Sequence, residues 1–235
     1  MSVMGLFFVF IASVAVLYLA RQGVMQSPWL EEGEVATHPD ARGLAPPPAA
    51  KVGLIVFLAV AGCLFSLLAA AFFMRMESAD WRSPPAPAIL WVNTVTLALS
   101  SALLHAAKRA AQRDALQPLR ARLSASGAAA ALFLFGQMWA WREMAAQGFY
   151  AASNPANAFF YLLTGTHALH LFGGLVALAR ALDRARGATS VHEVETIVDL
   201  CAIYWSFLFV VWLAMLAMLS GGADGLGVIC RRLLA

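Results

Sequence analysis

The segment FFYLLTGTHALHLFGG, residues 159–174, decides the fold class of this chain. It is apolar, it contains no Asp, Glu, Lys or Arg, and it carries two histidines, His167 and His170. Residues three apart lie on the same face of a helix. The two histidines are therefore either metal ligands or hydrogen-bonding groups that hold neighbouring helices together.

The rest of the chain has the same character. Of its 235 residues, 61% are hydrophobic and 12% are charged, whereas soluble domains are about 25% charged. Six segments contain no charged residue, namely 1–20, 52–74, 83–107, 123–141, 144–179 and 200–223. Each can hold the ~20 apolar residues that cross a bilayer as a helix. The sequence therefore predicts an all-α integral membrane protein with six transmembrane helices.

These helices are predicted at about residues 3–20, 52–75, 88–108, 124–145, 157–183 and 194–220. The corresponding domains are an N-terminal transmembrane helix (1–22), a charged, proline-rich cytoplasmic linker (23–50), a five-helix domain (51–222) and a C-terminal tail (223–235). The basic segment 108–122 is either an amphipathic extension near the headgroups or a solvated connector. Small residues in SASGAAAA and at Gly165, Gly173 and Gly174 predict that the helices at 124–145 and 157–183 are neighbours.

The charge distribution predicts orientation rather than a nucleic-acid partner, because the basic residues are not gathered in one stripe. Three loops, 21–51, 107–122 and 180–192, contain 11 of the 16 basic residues. The positive-inside rule makes that side cytoplasmic, in a bacterial-type inner membrane, so both termini are expected on the outer side. The three cysteines have no paired spacing, which argues against a disulfide framework or a zinc site.

Polar side chains within the predicted spans are few, and each is a functional candidate because such groups are costly in lipid. Gln137 and His170 fall at the same depth, so we expect them to form a hydrogen bond. Glu143 is expected to pair with Arg142 at the outer interface. Asp199 marks either a solvated helix start or a proton or lipid-headgroup site. An interfacial belt is predicted from four tryptophans, Trp81, Trp91, Trp139 and Trp141.

The histidines do not make a convincing metal site from sequence. Zinc needs three or four converging ligands, and haem needs axial ligands from facing positions, for which only His105 is available. No nucleophile and base pair or phosphate-binding loop is present, and no midplane proline marks a transporter. We therefore predict no catalytic residue, no cofactor-binding residue and no metal ligand, and keep a small membrane haem protein as an alternative.

Four motifs then point to a family. TGTHALHLFGG is similar to TGFHGLHVxxG, and LWVNTVTLALSS, which holds Trp91 and Asn93, is similar to LWxNTxxLxxSS. QMWAWRE matches QxxEYxE at Gln137 and Glu143, and DLCAIYWSFLFVVWL, which holds Asp199 and Trp205, matches ExAAWYWHFVDVVWL. In order and spacing over 51–220, the chain resembles subunit III of haem–copper terminal oxidases, the cytochrome c oxidase subunit III family.

The resemblance implies a five-helix core, here with one additional N-terminal span. It implies a subunit that holds no haem or copper, packs against the catalytic subunit I with subunit II in the same complex, binds phospholipid and supports proton uptake while oxygen is reduced. Haem and copper are then expected on the partner subunits. The residues expected to form a structural, lipid-contacting or polar network are Asn93, Trp91, Gln137, Glu143, His167, His170, Asp199 and Trp205.

The chain also departs from the family pattern. Ala61 stands at the carboxylate of FLxSE, Ala140 at the first carboxylate of QxxEYxE, and Phe209 at the aspartate of HFVD. A scaffold role is therefore favoured over an acid–base role. The sequence leaves open an accessory subunit of a nitric oxide reductase or a quinol oxidase.

Overall fold

The computed structural model describes residues 49–220. They form five α-helices, α1 (Ala49–Met76), α2 (Ile89–Ala111), α3 (Leu116–Ala146), α4 (Pro155–Gly187) and α5 (Glu195–Leu219), and one 3₁₀ turn, Val191–Glu193. All five helices are long and apolar enough to cross a membrane. The prediction of an all-α, multi-pass membrane protein with a five-helix core is confirmed. The predicted N-terminal helix (1–22), the linker up to residue 48 and the tail (223–235) lie outside the described residues.

The chain divides between Ser66 and Leu67 into two units. The part of α1 in the first unit is apolar, and its Ser66 hydroxyl donates to the Gly62 carbonyl at 2.8 Å. In the second unit, α2 to α5 form a four-helix arrangement in which α2 and α4 each contact both α3 and α5. The largest fully buried side chains at its centre include Trp205, Trp212, Phe133, Leu97 and Leu171.

Helices α1 to α4 extend beyond their predicted limits, and α3 extends furthest. Helix α3 begins at Leu116 instead of about residue 124, so residues 116–122 of the basic segment 108–122 form its first two turns, and residues 108–111 end α2. Pro118 is tolerated because the first turn of a helix needs no backbone N–H donor. The Arg120 guanidinium of α3 donates to the Ala185 and Ala188 carbonyls at 2.7 and 3.0 Å. These carbonyls lie at the C-terminal end of the neighbouring helix α4. The helices therefore continue beyond the charge-free segments from which they were predicted.

The connections that join the helices are fixed by local hydrogen bonds. Asn154 begins α4 because its side-chain oxygen accepts from the Ala156 N–H at 3.1 Å, with Pro155 in the first turn. Before α5, one Glu193 carboxylate oxygen accepts from the Thr189 hydroxyl at 2.9 Å and from the Ser190 N–H at 3.0 Å. The Thr189 and Ser190 donors hold the pKa of Glu193 below its ordinary value. Local hydrogen bonds therefore fix the start of α4 and the turn that precedes α5.

Two glycines allow close helix contacts. A Cβ on Gly174 would lie 2.5 Å from Tyr204 Cε1 and 3.0 Å from Trp205 Cζ3, so α5 packs directly on the α4 backbone there. A Cβ on Gly136 would collide with the Asn93 amide oxygen. Helices α3 and α4 are neighbours as predicted, but these glycines bring α4 close to α5 and α3 close to α2.

Replacing Gly174 by alanine tests this packing, and Gly173→Ala is a matched control in the same helix. We expect Gly174→Ala to destabilise the protein by about 1–3 kcal/mol, because Tyr204 and Trp205 must move. Gly173 has no atom within 4 Å of an added Cβ, so its alanine variant should be neutral or slightly stabilising. Thermal unfolding of the detergent-solubilised protein measures the difference. Equal melting temperatures for the two variants would contradict the assigned contact.

Candidate functional site

Buried polar side chains join three helices at Ser100. The Trp205 indole N–H of α5 donates to Ser100 Oγ of α2 at 2.9 Å. The Ser100 hydroxyl in turn donates to the Ser126 carbonyl of α3, and the Ser126 hydroxyl donates to the Ser100 carbonyl, both at 2.9 Å. Ser100, Ser126 and Trp205 are fully buried. This junction ties α2, α3 and α5 without any charged group.

Two more tryptophans donate to a side-chain hydroxyl of a neighbouring helix. The Trp212 indole N–H donates to Thr94 Oγ1 at 2.9 Å, and the Trp141 indole N–H donates to Thr164 Oγ1 at 3.0 Å. Each threonine hydroxyl gives its own hydrogen to a carbonyl one turn earlier, at 2.8 Å for Thr94 and 2.7 Å for Thr164. Its oxygen is therefore available to accept from the indole. These pairs add a second α2–α5 link and one α3–α4 link.

Gln137 contacts α2 rather than α4. The Asn93 side-chain N–H donates to Gln137 Oε1 at 3.4 Å, and both side chains are buried. The Gln137 amide nitrogen has no hydrogen-bond partner among the described residues. The predicted bond between Gln137 and His170 is therefore wrong, because α3 is rotated so that Gln137 faces α2.

The two histidines occupy different environments. His167 is fully buried, with its ring 5.8 Å from the Phe133 ring and 5.3 Å from the Trp212 ring, measured between centroids. His170 is only half-buried, and its Nδ1 lies 2.8 Å from the Thr166 carbonyl. The Tyr204 hydroxyl donates to the His170 carbonyl at 2.7 Å, which joins α5 to α4. No group of three His, Cys, Asp or Glu side chains is arranged to hold a metal within residues 49–220.

The predicted carboxylates lie at helix ends with different partners. Asp199 forms an ion pair with Lys108, so it links α5 to α2 and is not a freely solvated helix start. Glu143 accepts from the Gln147 side chain at 3.5 Å. The predicted ion pair between Arg142 and Glu143 is not formed in the described part of the chain. Asp199 and Glu143 are therefore each paired with another side chain of this protein.

The four tryptophans of the predicted belt divide into two pairs. Trp91 and Trp139 are 61% and 63% exposed, so they face away from the bundle. Trp81 packs against Phe72, with ring centroids 5.0 Å apart, and Trp141 donates to Thr164. Trp91 and Trp139 therefore face outward, whereas Trp81 and Trp141 have partners within the protein; the interfacial position of all four stays a prediction.

Sequence reasoning missed the serine and threonine acceptors of the indoles, and it missed Arg120. One signal was available. Trp205 and Trp212 are seven residues apart on α5, so they lie on one helix face. Their acceptors on α2, Ser100 and Thr94, are six residues apart and give no such signal, so the pairing is visible only once the helices are packed.

The fold and this core define a multi-pass α-helical membrane protein whose helices are joined by neutral side-chain hydrogen bonds. No protein-family model matches the chain. It is, however, 30% identical over 187 residues to cytochrome c oxidase subunit 3 of Thermostichus vulcanus, covering 77% of this chain and 88% of that protein. It is also 27% identical over 176 residues to a probable cytochrome c oxidase subunit 3 of Nocardia farcinica, covering 73% and 87%. For cytochrome c oxidase subunit 3 of Synechocystis sp., the identity is 26% over 184 residues, covering 76% and 74%. The chain belongs to the cytochrome c oxidase subunit 3 family, as its motifs predicted.

A double-mutant cycle tests the Ser100 junction. Trp205→Phe and Ser100→Ala should each destabilise the protein, and the double variant should lose less than the sum. We expect a coupling free energy of about 0.6–1.7 kcal/mol, the range of side-chain hydrogen bonds between membrane helices. Unfolding of the solubilised protein in a denaturing detergent titration measures it. Trp91→Phe is the control, because Trp91 is exposed; a coupling of Ser100 to Trp91 as large as that to Trp205 would contradict the assignment.

Proposed function

We propose that the chain is the non-catalytic subunit III of a haem–copper terminal oxidase in aerobic respiration. In this role it packs against the catalytic subunit I, in a complex that also contains subunit II, and stabilises it in the membrane. Membership of the cytochrome c oxidase subunit 3 family supports the complex, and haem and copper are expected on its other subunits. The chain itself takes no part in the redox reaction.

One observation carries the proposal of a scaffold role. The buried polar side chains at Asn93, Ser100, Ser126, Thr164 and Trp205 form hydrogen bonds between helices. Such bonds fix helix positions, because lipid supplies little hydrophobic drive for helices to associate. A rigid bundle of this kind supports a neighbouring subunit by presenting a fixed surface to it.

Proton uptake and lipid binding are proposed as consequences of that scaffold. Ala61, Ala140 and Phe209 occupy the positions where the family pattern has carboxylates, so the chain has no acid there to carry protons itself. Support for proton uptake then comes from holding subunit I in shape. Exposed apolar side chains such as Leu132, Phe135 and Leu169 offer contact to phospholipid acyl chains.

The proposed orientation follows from charge. Basic side chains collect where α2 joins α3 and where α4 ends, namely Lys108, Arg109, Arg113, Arg120, Arg122, Arg180, Arg184 and Arg186. These positions lie at one end of the bundle, since Arg120 of α3 contacts the end of α4. We assign this end to the cytoplasm. Both termini are then on the outer side of a bacterial-type inner membrane.

Purification of the tagged full chain from native membranes in a mild detergent tests the proposal. We expect it to co-purify with oxidase subunits I and II, and the complex to show a Soret band and copper. Partner chains of a nitric oxide reductase or a quinol oxidase would redirect the assignment to those complexes. Haem bound stoichiometrically to this chain after its partners are removed, or a chain that purifies alone, would overturn it.

A further inference from the structure

Some polar side chains of α2 and α5 are not enclosed by the bundle. They lie on the outer face of α2 and along the line where α2 meets α5. We define the α2–α5 seam by His105 and Lys108 of α2 and by Asp199 and Ser206 of α5. We propose that a transmembrane helix of the catalytic subunit packs on this seam and presents an acidic side chain to its basic end. The inference rests on the proposed function and names the surface through which it operates.

His105 is an exposed ionisable side chain within a membrane-spanning segment. It lies in the charge-free stretch 83–107 and six residues before the end of α2, a distance of about 9 Å along the helix. Its Nδ1 lies 2.9 Å from the Ser101 carbonyl, one turn towards the middle of α2. The ring is therefore held away from the nearer headgroups, and does not extend towards them as a long basic side chain does.

The second ring nitrogen of His105 links α2 to α5. Nε2 lies 3.3 Å from Ser206 Oγ, and the Ser206 hydroxyl also lies 2.8 Å from the Ala202 carbonyl. Ionisable side chains within membrane spans usually face the interior of a bundle and not lipid. Other polar side chains of α2, Asn93 and Ser100, are buried inside the bundle. An exposed imidazole is thus best explained by a protein surface that covers it.

The surface beside His105 suits a helix as the covering element. Ala98, Ala102 and Ala106 repeat every four residues and are all accessible. Small residues at this spacing let a second helix backbone approach closely. Val95, which is 67% exposed, continues the face towards the other end of α2. The shape and the polar group therefore favour a packed helix over a disordered acyl chain.

The charge at the basic end specifies the chemistry of the partner. Lys108 is paired with Asp199, while Arg109 is exposed one residue further along. The Arg122 guanidinium of α3 donates to the Ala106 carbonyl of α2 at 2.8 Å, which adds a third positive charge at this end of α2. Three basic side chains against one carboxylate leave an excess of positive charge. A complementary partner helix carries an acidic side chain at this level.

Site-specific photo-crosslinking in the intact complex tests this surface. A benzophenone amino acid is placed at Ala102, or at Val95 on the same face in case the larger side chain is not tolerated at Ala102. The matched control position is Leu132, which is 57% exposed on α3. We expect the α2 positions to form a covalent adduct with the catalytic subunit, identified by mass spectrometry, and Leu132 to form none. The adduct should map to a transmembrane helix with an acidic residue.

Other adducts would overturn the proposal. These are adducts to lipid alone, to a second copy of this chain, or to the catalytic subunit from Leu132 with equal yield. If the chain co-purifies with the oxidase but neither α2 position crosslinks to the catalytic subunit, the seam assignment fails and the proposed function stands. If the chain does not co-purify with an oxidase at all, the proposed function fails.

Discussion

The hydrogen-bonded junction at Ser100 is the constraint on which the rest of the bundle depends. In water, apolar burial holds helices together, but lipid tails are as apolar as the side chains themselves. Association of α2, α3 and α5 therefore relies on close packing and on interhelical hydrogen bonds. Ser100 supplies both, because its small hydroxyl side chain accepts from the Trp205 indole and donates to the Ser126 carbonyl, while the Ser126 hydroxyl donates to the Ser100 carbonyl. Trp212 with Thr94, and Trp141 with Thr164, repeat this interaction elsewhere in the bundle.

Close packing and hydrogen bonding depend on each other in this protein. Gly174 lets Tyr204 and Trp205 lie against the α4 backbone, and that position allows the Trp205 indole to reach Ser100. Gly136 does the same for Asn93, which then reaches Gln137. A neutral network of this kind avoids the cost of burying charge in lipid. The charged groups, such as Lys108 with Asp199, lie near the helix ends.

Much of the fold could be predicted from the sequence, since the absence of charge over about 20 residues is a strong signal for a membrane helix. Helix ends were less predictable: α3 starts at Leu116 because its first two turns lie beyond the apolar segment. For the site, the polar residues within the spans could be predicted, but their pairings could not. The partner of Gln137, for example, depends on how α3 is rotated about its axis. Trp205 and Ser100 are 105 residues apart, so their contact arises only from the packed fold.

We propose that the membrane-embedded polar groups of this chain connect helices and leave oxygen chemistry to other subunits. An experimental structure of the purified complex, at a resolution that shows side-chain hydrogen bonds, tests this most directly. It should show the Trp205 and Trp212 indole nitrogens within hydrogen-bonding distance of Ser100 Oγ and Thr94 Oγ1, near the 2.9 Å found here, and His167 enclosed by Phe133 and Trp212. Indoles turned towards a cofactor, or a metal or haem iron coordinated by His167 or His170, would contradict it.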